Sequence, residues 1–302
     1  MKNYRLVQWD SFKLVKKEKD WSLNLIITSP PYNIWKSYET KTNLEEYLNP
    51  YRNFAKDCFD KLSNNWSLCW EVGNFVKNWE VYPLDIFFYE IFKSVGFHLR
   101  NRIIWHFEHW LHSKNRLSWR YETILWFTKT DNYVFNLDPI RVPSKYPGKL
   151  HYKWDKKWQP SWNPLWKNPS DFWKTIEEDR NTLLWDIPNV KSNHPEKTIH
   201  PCQFPIELIQ RCVLALTNEW DSILDPFAWV WSTLIASLLH NRKAIGYEMM
   251  QEYIECTKDR IKSLEEWTLK IRPLWKPVYQ PTWKEKISQV PKEWGNDNIY
   301  NK

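Results

Sequence analysis

Hydrophobic positions follow two different periods along this chain, and together they predict a layered α/β domain. The run Leu23–Thr28 (LNLIIT) is short, continuously apolar and rich in β-branched residues, which is typical of a buried parallel strand. Similar runs predict strands at 67–72, 102–107, 122–128, 221–227 and 244–247. Apolar residues spaced three or four apart predict helices at 43–62 (interrupted by Pro50), 81–94, 205–217, 232–239 and 249–265. Because strands and helices alternate, we expect a doubly wound parallel sheet.

Two stretches break this alternation. Residues 131–200 are rich in Pro, Lys and Trp and have little periodicity, which predicts a separate module or a long excursion. The tail from 268 to 302 has no clear pattern either. These changes divide the chain into a first core portion (1–130), an inserted module (131–200), a second core portion (201–267) and a C-terminal tail (268–302).

Positive charge is concentrated in the inserted module. The whole chain carries 43 Lys and Arg against 36 Asp and Glu, a formal net charge of +7. Residues 141–167 contain seven basic residues and one acid, Asp155, so this segment alone accounts for +6. The seven are Arg141, Lys145, Lys149, Lys153, Lys156, Lys157 and Lys167. Such a segment is suited to contact phosphate groups, and a solvated loop is the alternative.

Other features of the sequence disfavour several classes of protein. No apolar run approaches the ~18 residues that a membrane span needs. The N-terminus lacks the apolar stretch of a signal peptide. The five cysteines form no CxxC pair, which disfavours a zinc knuckle and a disulfide framework. We therefore expect a globular cytoplasmic protein without a metal site.

Tryptophan and glycine have unusual counts. The chain contains 23 Trp and 5 Gly, whereas an average glycine content of ~7% predicts about 21. Six tryptophans stand in apolar or aromatic surroundings and are interpreted as genuine: Trp70, Trp105, Trp126, Trp173, Trp185 and Trp294. Our hypothesis is that the other seventeen are glycines, encoded by UGA in a genetic code that reads this codon as glycine and translated here as tryptophan. A deliberate Gly→Trp exchange would leave the same pattern, and a naturally Trp-rich protein is the third explanation.

A polar motif, Ser29-Pro30-Pro31-Tyr32, follows the first predicted strand. Ligands of open α/β sheets bind at the carboxyl ends of the strands. The two prolines fix the backbone, so that the Ser29 hydroxyl and the Pro30 carbonyl face one direction as hydrogen-bond acceptors. Tyr32 can offer its ring as a stacking surface. This arrangement suits a flat heterocycle that bears an exocyclic amine.

A second motif, LDPFAWVWST at 224–233, connects a predicted strand to a predicted helix. With glycine at Trp229 and Trp231 it becomes DPFAGVGST, in which glycines let the backbone approach a cofactor and turn tightly into the helix. Glu248 ends the next predicted strand, where an acid commonly binds ribose hydroxyls. A solvated charge is the alternative interpretation of Glu248.

With these motifs the chain resembles the amino-group DNA methyltransferases, whose signature is (D/N/S)PP(Y/F). The catalytic motif comes first, the basic module next and the cofactor loop last, an order similar to the β-class permutation of that family. The resemblance covers nearly the whole chain. It implies a Rossmann-like, circularly permuted, S-adenosylmethionine-dependent methyltransferase with an inserted target-recognition module. Residues 1–130 would then be the catalytic half and residues 201–267 the cofactor-binding half.

The resemblance also implies roles for individual residues. It assigns catalysis to Ser29, Pro30, Pro31 and Tyr32. It assigns binding of S-adenosylmethionine to Asp10, His200, Asp225, Pro226, Phe227, Trp229, Trp231, Thr233 and Glu248. Arg116 and Arg120 join the seven basic residues of 141–167 as expected DNA contacts.

The implied reaction moves a methyl group to the exocyclic amine of a base flipped out of double-stranded DNA. The SPPYNI and RYETILWF segments resemble adenine-specific members, so adenine N6 is the favoured target. Serine before PPY is commoner among cytosine-N4 enzymes, which makes cytosine N4 the alternative. The resemblance leaves open a cognate restriction endonuclease and a homodimer.

Two features favour other functions. Pro201-Cys202-Gln203 matches the PCQ of cytosine-C5 methyltransferases. Those enzymes place the cofactor loop before the cysteine, so a nucleophilic Cys202 is disfavoured. A catalytically inactive DNA-binding protein is the alternative from another class. It applies if Trp229 and Trp231 are genuine, because their indoles would occupy the cofactor space.

Overall fold

The computed structural model describes residues 3–33, 42–107, 112–144, 148–161, 163, 165–173, 187–273, 276 and 285. Within these ranges, no helix combines the length and apolar character needed to cross a membrane. The same residues contain no cluster of three or more His, Cys, Asp or Glu side chains arranged to hold a metal ion.

Ten strands and six α-helices are found in the described part of the chain. The strands are β1 (Tyr4–Gln8), β2 (Leu23–Thr28), β3 (Leu62–Val72), β4 (Asn74–Lys77), β5 (Glu80–Pro83), β6 (His98–His106), β7 (Tyr121–Thr128), β8 (Phe172–Trp173), β9 (Ser222–Asp225) and β10 (Lys243–Glu248). The helices are α1 (Ser11–Leu14), α2 (Leu44–Lys61), α3 (Leu84–Ser94), α4 (Ile206–Leu216), α5 (Ser232–Leu239) and α6 (Gln251–Glu265).

Eight of the strands form one sheet in the order β1-β10-β9-β2-β3-β7-β6-β8. The first five strands in this order are β1, β10, β9, β2 and β3, and all of them pair in parallel. Strand β7 runs antiparallel to both of its neighbours, so the sheet is mixed on that side. Strands β4 and β5 form a separate hairpin. The predicted α/β class with a doubly wound parallel core is confirmed, and the antiparallel strand is the departure from it.

The central strand β2 carries a different core on each of its faces. Leu25 and Ile27 pack in the cluster that includes α4 and α5. Ile26 packs in the cluster that includes α2 and α3. Successive side chains of a strand point to opposite faces, so a strand covered on both sides is apolar at every position. Both faces of the sheet are therefore covered.

Helix α2 is continuous, although the sequence predicts an interruption at Pro50. It begins with a capping box, in which the Asn43 side chain accepts the Glu46 N–H and the Glu46 side chain accepts the Asn43 N–H. Pro50 has no backbone N–H, so it cannot donate the helical hydrogen bond to the Glu46 carbonyl. Burial of Leu48 and Tyr51 offsets the loss of this bond, and the helix continues to Lys61.

Part of the predicted inserted module packs into the main core. Ile140, Trp173 and Ile187 are buried in the same cluster as α4 and α5, and β8 extends the large sheet beside β6. Residues 148–161 are mostly exposed instead. The basic part of the module is thus at the surface, while the domain boundaries drawn from the sequence stay a prediction.

Candidate active site

Loops that follow parallel strands meet at one edge of the sheet. Strand β2 lies beside β9, with Ile26 opposite Leu224, so the SPPY loop after β2 is next to the loop after β9. A hydrogen bond joins the two loops, because the Thr28 hydroxyl donates to Asp225 Oδ1 over 2.6 Å. The two sequence motifs, about 200 residues apart, therefore form one site.

The SPPY loop is held from both sides. Tyr47 of α2 donates its hydroxyl to the Pro31 carbonyl over 2.5 Å. Asn33 adopts a left-handed conformation (φ 61°), which asparagine tolerates better than most residues. Its side chain accepts the Thr42 N–H (3.0 Å) and donates to the Thr42 carbonyl (2.9 Å). These anchors and the two prolines fix the motif before any ligand binds.

A chain of hydrogen bonds connects Ser29, Tyr32 and Glu71. The Tyr32 hydroxyl donates to Glu71 Oε2 over 2.6 Å and lies 2.8 Å from Ser29 Oγ. A phenol has one proton, and Tyr32 gives it to Glu71, so Ser29 must donate to Tyr32. The lone pairs of Ser29 Oγ are then left to accept hydrogen bonds from a ligand. Burial, with the nearby carboxyls of Glu122 and Glu71, raises the pKa of Tyr32, which keeps its hydroxyl a donor at neutral pH.

Glu71 and Glu122 form a carboxyl pair beside Tyr32. Glu71 lies near the end of β3, and Glu122 is the second residue of the antiparallel β7. Glu71 Oε1 is buried and has no conventional hydrogen-bond partner among the described residues. Burial and the adjacent Glu71 carboxyl raise the pKa of Glu122 well above its usual value. Burial and the adjacent carboxyl group therefore both disfavour the ionised form of Glu122.

These groups line a pocket with apolar and aromatic walls. Its lining residues are Ser29, Pro30, Tyr32, Glu71, Trp105, Phe107, Glu122, Asn189, Val190, His200, Pro201, Cys202, Gln203, Phe204 and Trp229. Apolar walls with a few convergent polar groups are the usual composition of a small-molecule site. The pocket brings Cys202 of the PCQ segment beside the SPPY motif. Sequence reasoning missed Glu71 and Glu122, although an acid inside each of two apolar strands (LCWEV and YETILWF) was the available signal.

Three of the expected cofactor residues, Asp225, Pro226 and Phe227, make contacts that hold the loop after β9 in place. Asp225 is fully buried, and its Oδ1 also accepts the Phe227 N–H over 3.2 Å. Burial raises the pKa of Asp225 to about 6, against the opposing effect of the Thr233 and Thr28 hydroxyls. The Pro226 carbonyl accepts the Ser11 hydroxyl. The Phe227 ring lies 5.6 Å from that of Phe54 in the core.

Glu248 and Asp10 lie at the same edge, after β10 and β1. The Glu248 carboxylate accepts the N–H groups of Met250 (2.8 Å) and Trp229 (2.9 Å). Burial raises the pKa of Glu248 to about 7. Asp10 caps α1 by accepting the Phe12 N–H (2.9 Å). The backbone N–H of the adjacent Trp9 donates to the Glu248 carbonyl over 3.0 Å, which holds the two strand ends together.

The side chain of Trp229 fills the space between these groups. Its indole N–H donates to the Ser29 carbonyl over 2.8 Å. Its ring lies 4.8 Å from that of His200 and 6.2 Å from that of Tyr253. The loop, the Glu248 carboxyl group and the adjacent pocket are the types of structure that bind S-adenosylmethionine. The indole of Trp229, however, occupies the gap between Glu248 and Ser29 that such a cofactor needs, so the residues present do not fit it.

The basic segment lies on the surface, away from the core. Isolated antiparallel bridges pair Val142 with Lys167 and Leu150 with Pro160. The described lysines of this segment are exposed: Lys149, Lys153, Lys156, Lys157 and Lys167. Arg141 is paired with Asp138 (2.7 Å) instead. Lys145 lies outside the described residues.

Arg116 and Arg120 lie in the loop before β7. Arg116 is exposed and packs its guanidinium over the ring of Trp119 at 4.6 Å. Arg120 donates to the Trp119 carbonyl (3.0 Å) and lies 3.2 Å from Nδ1 of His112. Their role as DNA contacts stays a prediction.

Comparison with known proteins gives a consistent result. The N6/N4 family of DNA methylases matches residues 23–259 of this chain. The chain is 42% identical to the type II methyltransferase M.BglII of Bacillus subtilis over 252 residues, 83% of this chain and 67% of the relative. It is 28% identical to the DNA adenine methyltransferase YhdJ of Escherichia coli K12 over 255 residues, 83% of this chain and 80% of the relative.

The fold is also similar to solved structures. The PvuII DNA methyltransferase, described as cytosine-N4-specific, superposes with a TM-score of 0.65 at 20% identity, over 89% of this chain and 93% of the other. Another structure of this fold was determined with S-adenosyl-L-methionine bound. The expected Rossmann-like methyltransferase fold is confirmed by these likenesses.

Proposed function

This chain belongs to the N6/N4 family of DNA methylases, whose methyl donor is S-adenosylmethionine, and on that premise we propose that it methylates the exocyclic amine of a flipped DNA base, with adenine N6 the favoured target. The observation that carries the proposal is the chain of hydrogen bonds from Ser29 through Tyr32 to Glu71 at the wall of an aromatic pocket.

The proposed chemistry depends on where hydrogen-bond acceptors face. The lone pair of an exocyclic amine is delocalised into the ring, so the nitrogen is a weak nucleophile. Ser29 Oγ, with its own proton donated to Tyr32, accepts one amine hydrogen, and the Pro30 carbonyl accepts the other. Two acceptors draw the nitrogen towards tetrahedral geometry and free its lone pair. Positioning of this kind supplies most of the acceleration. The ring of Tyr32 supports the flipped base.

The methyl donor and the partners complete the proposal. Glu248 and Asp10 would bind the polar groups of S-adenosylmethionine, with His200 and the backbone of 225–231 around them. Double-stranded DNA is the substrate, contacted by the basic segment 141–167 and by Arg116 and Arg120. A cytoplasmic location, a cognate restriction endonuclease and a homodimer belong to the same proposal.

Cytosine N4 is the second candidate target. Adenine and cytosine both present an amine next to an acceptor ring nitrogen, so the acceptors of the SPPY motif serve either base. The relative named as an adenine methyltransferase and the RYETILWF segment favour adenine. Serine at position 29 favours cytosine.

The identity of the methylated nucleoside tests the proposal. DNA is treated with S-adenosylmethionine and a form of the chain that carries glycine at the seventeen suspected positions. The DNA is then digested, and its nucleosides are identified by mass spectrometry and chromatography. We expect N6-methyladenine. N4-methylcytosine would keep the amine chemistry and change the base, whereas 5-methylcytosine would assign the reaction to Cys202 and contradict the role of Ser29. A Cys202→Ala variant, which should retain amine methylation, is the control.

A further inference from the structure

Among the residues that the structure describes, nine tryptophans adopt a left-handed backbone conformation, with φ between 48° and 75°. They are Trp21, Trp79, Trp154, Trp158, Trp166, Trp220, Trp229, Trp231 and Trp267. The other non-glycine residues of this kind in the described ranges are three asparagines. Asparagine is enriched in this region because its short side chain tolerates it, whereas a bulky side chain there is a conformational outlier. Glycine adopts the conformation without steric cost.

The tryptophans of the described residues divide into two groups, and the division follows the sequence hypothesis. The four described tryptophans that we interpret as genuine have ordinary φ angles and are buried: Trp70, Trp105, Trp126 and Trp173. Three of them donate their indole N–H to a protein oxygen. All nine left-handed tryptophans belong to the seventeen suspected glycines. The structure shows no such conformation at Trp9, Trp66 and Trp119, where the hypothesis rests on the sequence alone.

The hairpin between β4 and β5 gives one independent indication. Its two-residue loop is Asn78-Trp79, and both residues have positive φ (51° and 68°). A two-residue loop with positive φ at both positions is the type I′ turn, for which Asn-Gly is the preferred sequence. The indole of Trp79 is 84% exposed, so no packing explains a tryptophan at this point.

The end of α6 gives a second indication. The Thr268 N–H donates to the Ser263 carbonyl (2.8 Å) and the Trp267 N–H to the Leu264 carbonyl (3.1 Å). This pair of bonds is the Schellman motif, whose left-handed residue is usually glycine. Here that residue is Trp267, with φ 58° and a side chain 91% exposed.

The cofactor loop gives the third indication. Trp229 and Trp231 are left-handed, and Trp231 is fully buried. An ideal Cβ on Gly246 of the neighbouring strand would lie 2.9 Å from the Trp231 ring, so the indole leaves no room there. The Trp229 indole fills the gap between Glu248 and Ser29, as described above. Glycine at both positions would remove these side chains and leave the backbone turn unchanged.

We propose that these nine positions are glycines in the functional protein, encoded by UGA codons that its own genetic code reads as glycine. The same substitution accounts for the turn conformations, for the exposed indoles and for the blocked cofactor site. It does not depend on the proposed function, because the β4–β5 turn and the end of α6 support it without reference to the cofactor loop.

The codons of the gene provide the first test. We expect UGA at the nine left-handed positions and UGG at Trp70, Trp105, Trp126 and Trp173. UGG codons at the nine positions would overturn the proposal. Mass spectrometry of the protein isolated from its source should find glycine at these positions, and tryptophan there would overturn it as well.

Thermal unfolding provides the second test. Three chains are compared: the sequence as written, a nine-glycine chain with Gly at the nine positions, and a chain with Ala at the same positions. Alanine removes the indole but keeps a Cβ at positive φ, so it separates bulk from backbone strain. We expect a cooperative transition in the nine-glycine chain and none, or one lower by roughly 10 °C or more, in the chain as written. The alanine chain should fall between them.

A further variant keeps this test decisive if the nine-glycine chain folds poorly. It carries glycine at all seventeen suspected positions. If the tryptophan-containing chain melts at the same temperature as both glycine chains, the proposal is wrong. The melting comparison needs no methylation, so its outcome is separate from that of the proposed function.

Discussion

At the scale of single residues, the position of one proton determines what Ser29 can do. The Tyr32 hydroxyl gives its proton to Glu71, and Ser29 therefore turns its own proton towards Tyr32. If Glu71 could no longer accept this hydrogen bond, the Tyr32 hydroxyl could donate its proton to Ser29 instead. The serine hydroxyl would then point its proton into the pocket and repel the hydrogens of an amine. We therefore propose that Glu71 is a positioning residue that acts through Tyr32.

This argument gives a prediction for variants made in the nine-glycine chain. Tyr32→Ala should bind S-adenosylmethionine normally but lose most methyl transfer, because loss of a base-stacking ring costs roughly 1–3 kcal/mol, about tenfold or more in rate. Tyr32→Phe keeps the ring, so it should lower kcat and leave KM for DNA nearly unchanged. Tyr82→Phe, which removes an exposed hydroxyl bonded to Glu80, is the matched control. Methylation by Tyr32→Ala at the parent rate would show that the assigned role is wrong.

At the scale of elements, turns and edges were harder to predict than the core. The run LNLIIT predicted β2 with its observed bounds, and helix α5 was also placed correctly, because buried elements need apolar residues at most positions. The hairpin of β4 and β5 was missed, and a helix was predicted from residue 81. The sequence that predicts such a hairpin turn is Asn-Gly, and the tryptophan at position 79 removes this pattern. The two-residue strand β8 has no period to detect, since its pairing with β6 depends on tertiary contacts.

The basic segment is the element from which we expect phosphate binding. Replacing Lys153, Lys156 and Lys157 by Gln in the nine-glycine chain should weaken DNA binding and reduce its salt dependence. Each lost phosphate contact lowers the slope of log K against log salt by about 0.9, so the three together should lower it by about 2–3. Affinity is measured by fluorescence anisotropy across a salt series. The exposed Lys56 and Lys93, changed in the same way, are controls. An unchanged slope would place the phosphate contacts elsewhere.

At the scale of the whole molecule, the sheet topology creates a site that the linear sequence shows only in part. The order of the SPPY motif, the basic module and the cofactor loop indicates the fold because each motif lies after a strand with a clear apolar pattern. The proximity of Glu71 and Glu122 could not be predicted from the sequence. They meet because β7 runs antiparallel to β3, and no local pattern specifies that direction. Trp105 and Val190 likewise join the pocket through long-range packing.

The same topology collects carboxyl groups with raised pKa values at one edge, and this gives the molecule a pH-dependent stability. Burial raises the pKa of Glu248 to about 7, and burial together with Glu71 raises that of Glu122 well above its usual value. A raised pKa contributes stability that is complete below the unfolded pKa and is lost as the pH rises through the folded one. His194, whose pKa burial lowers to about 4, acts in the opposite direction below about pH 6.5. His194 therefore opposes the carboxyl effect only below about pH 6.5, and the effect is followed between about pH 6.5 and 8.5.

In that pH range we expect the free energy of unfolding of the nine-glycine chain to fall as the pH rises. A single group that stays protonated in the folded state and ionised in the unfolded state contributes a slope of about 1.4 kcal/mol per pH unit. Glu122→Gln mimics the protonated carboxyl and should flatten the fall, so that this variant equals or exceeds its parent in stability at about pH 8.5. Glu252→Gln changes an exposed acid of α6 and should leave the slope as it is. The measurement is urea unfolding without cofactor across the pH series. Equal slopes for the parent and Glu122→Gln would mean that Glu122 is ionised in the folded protein.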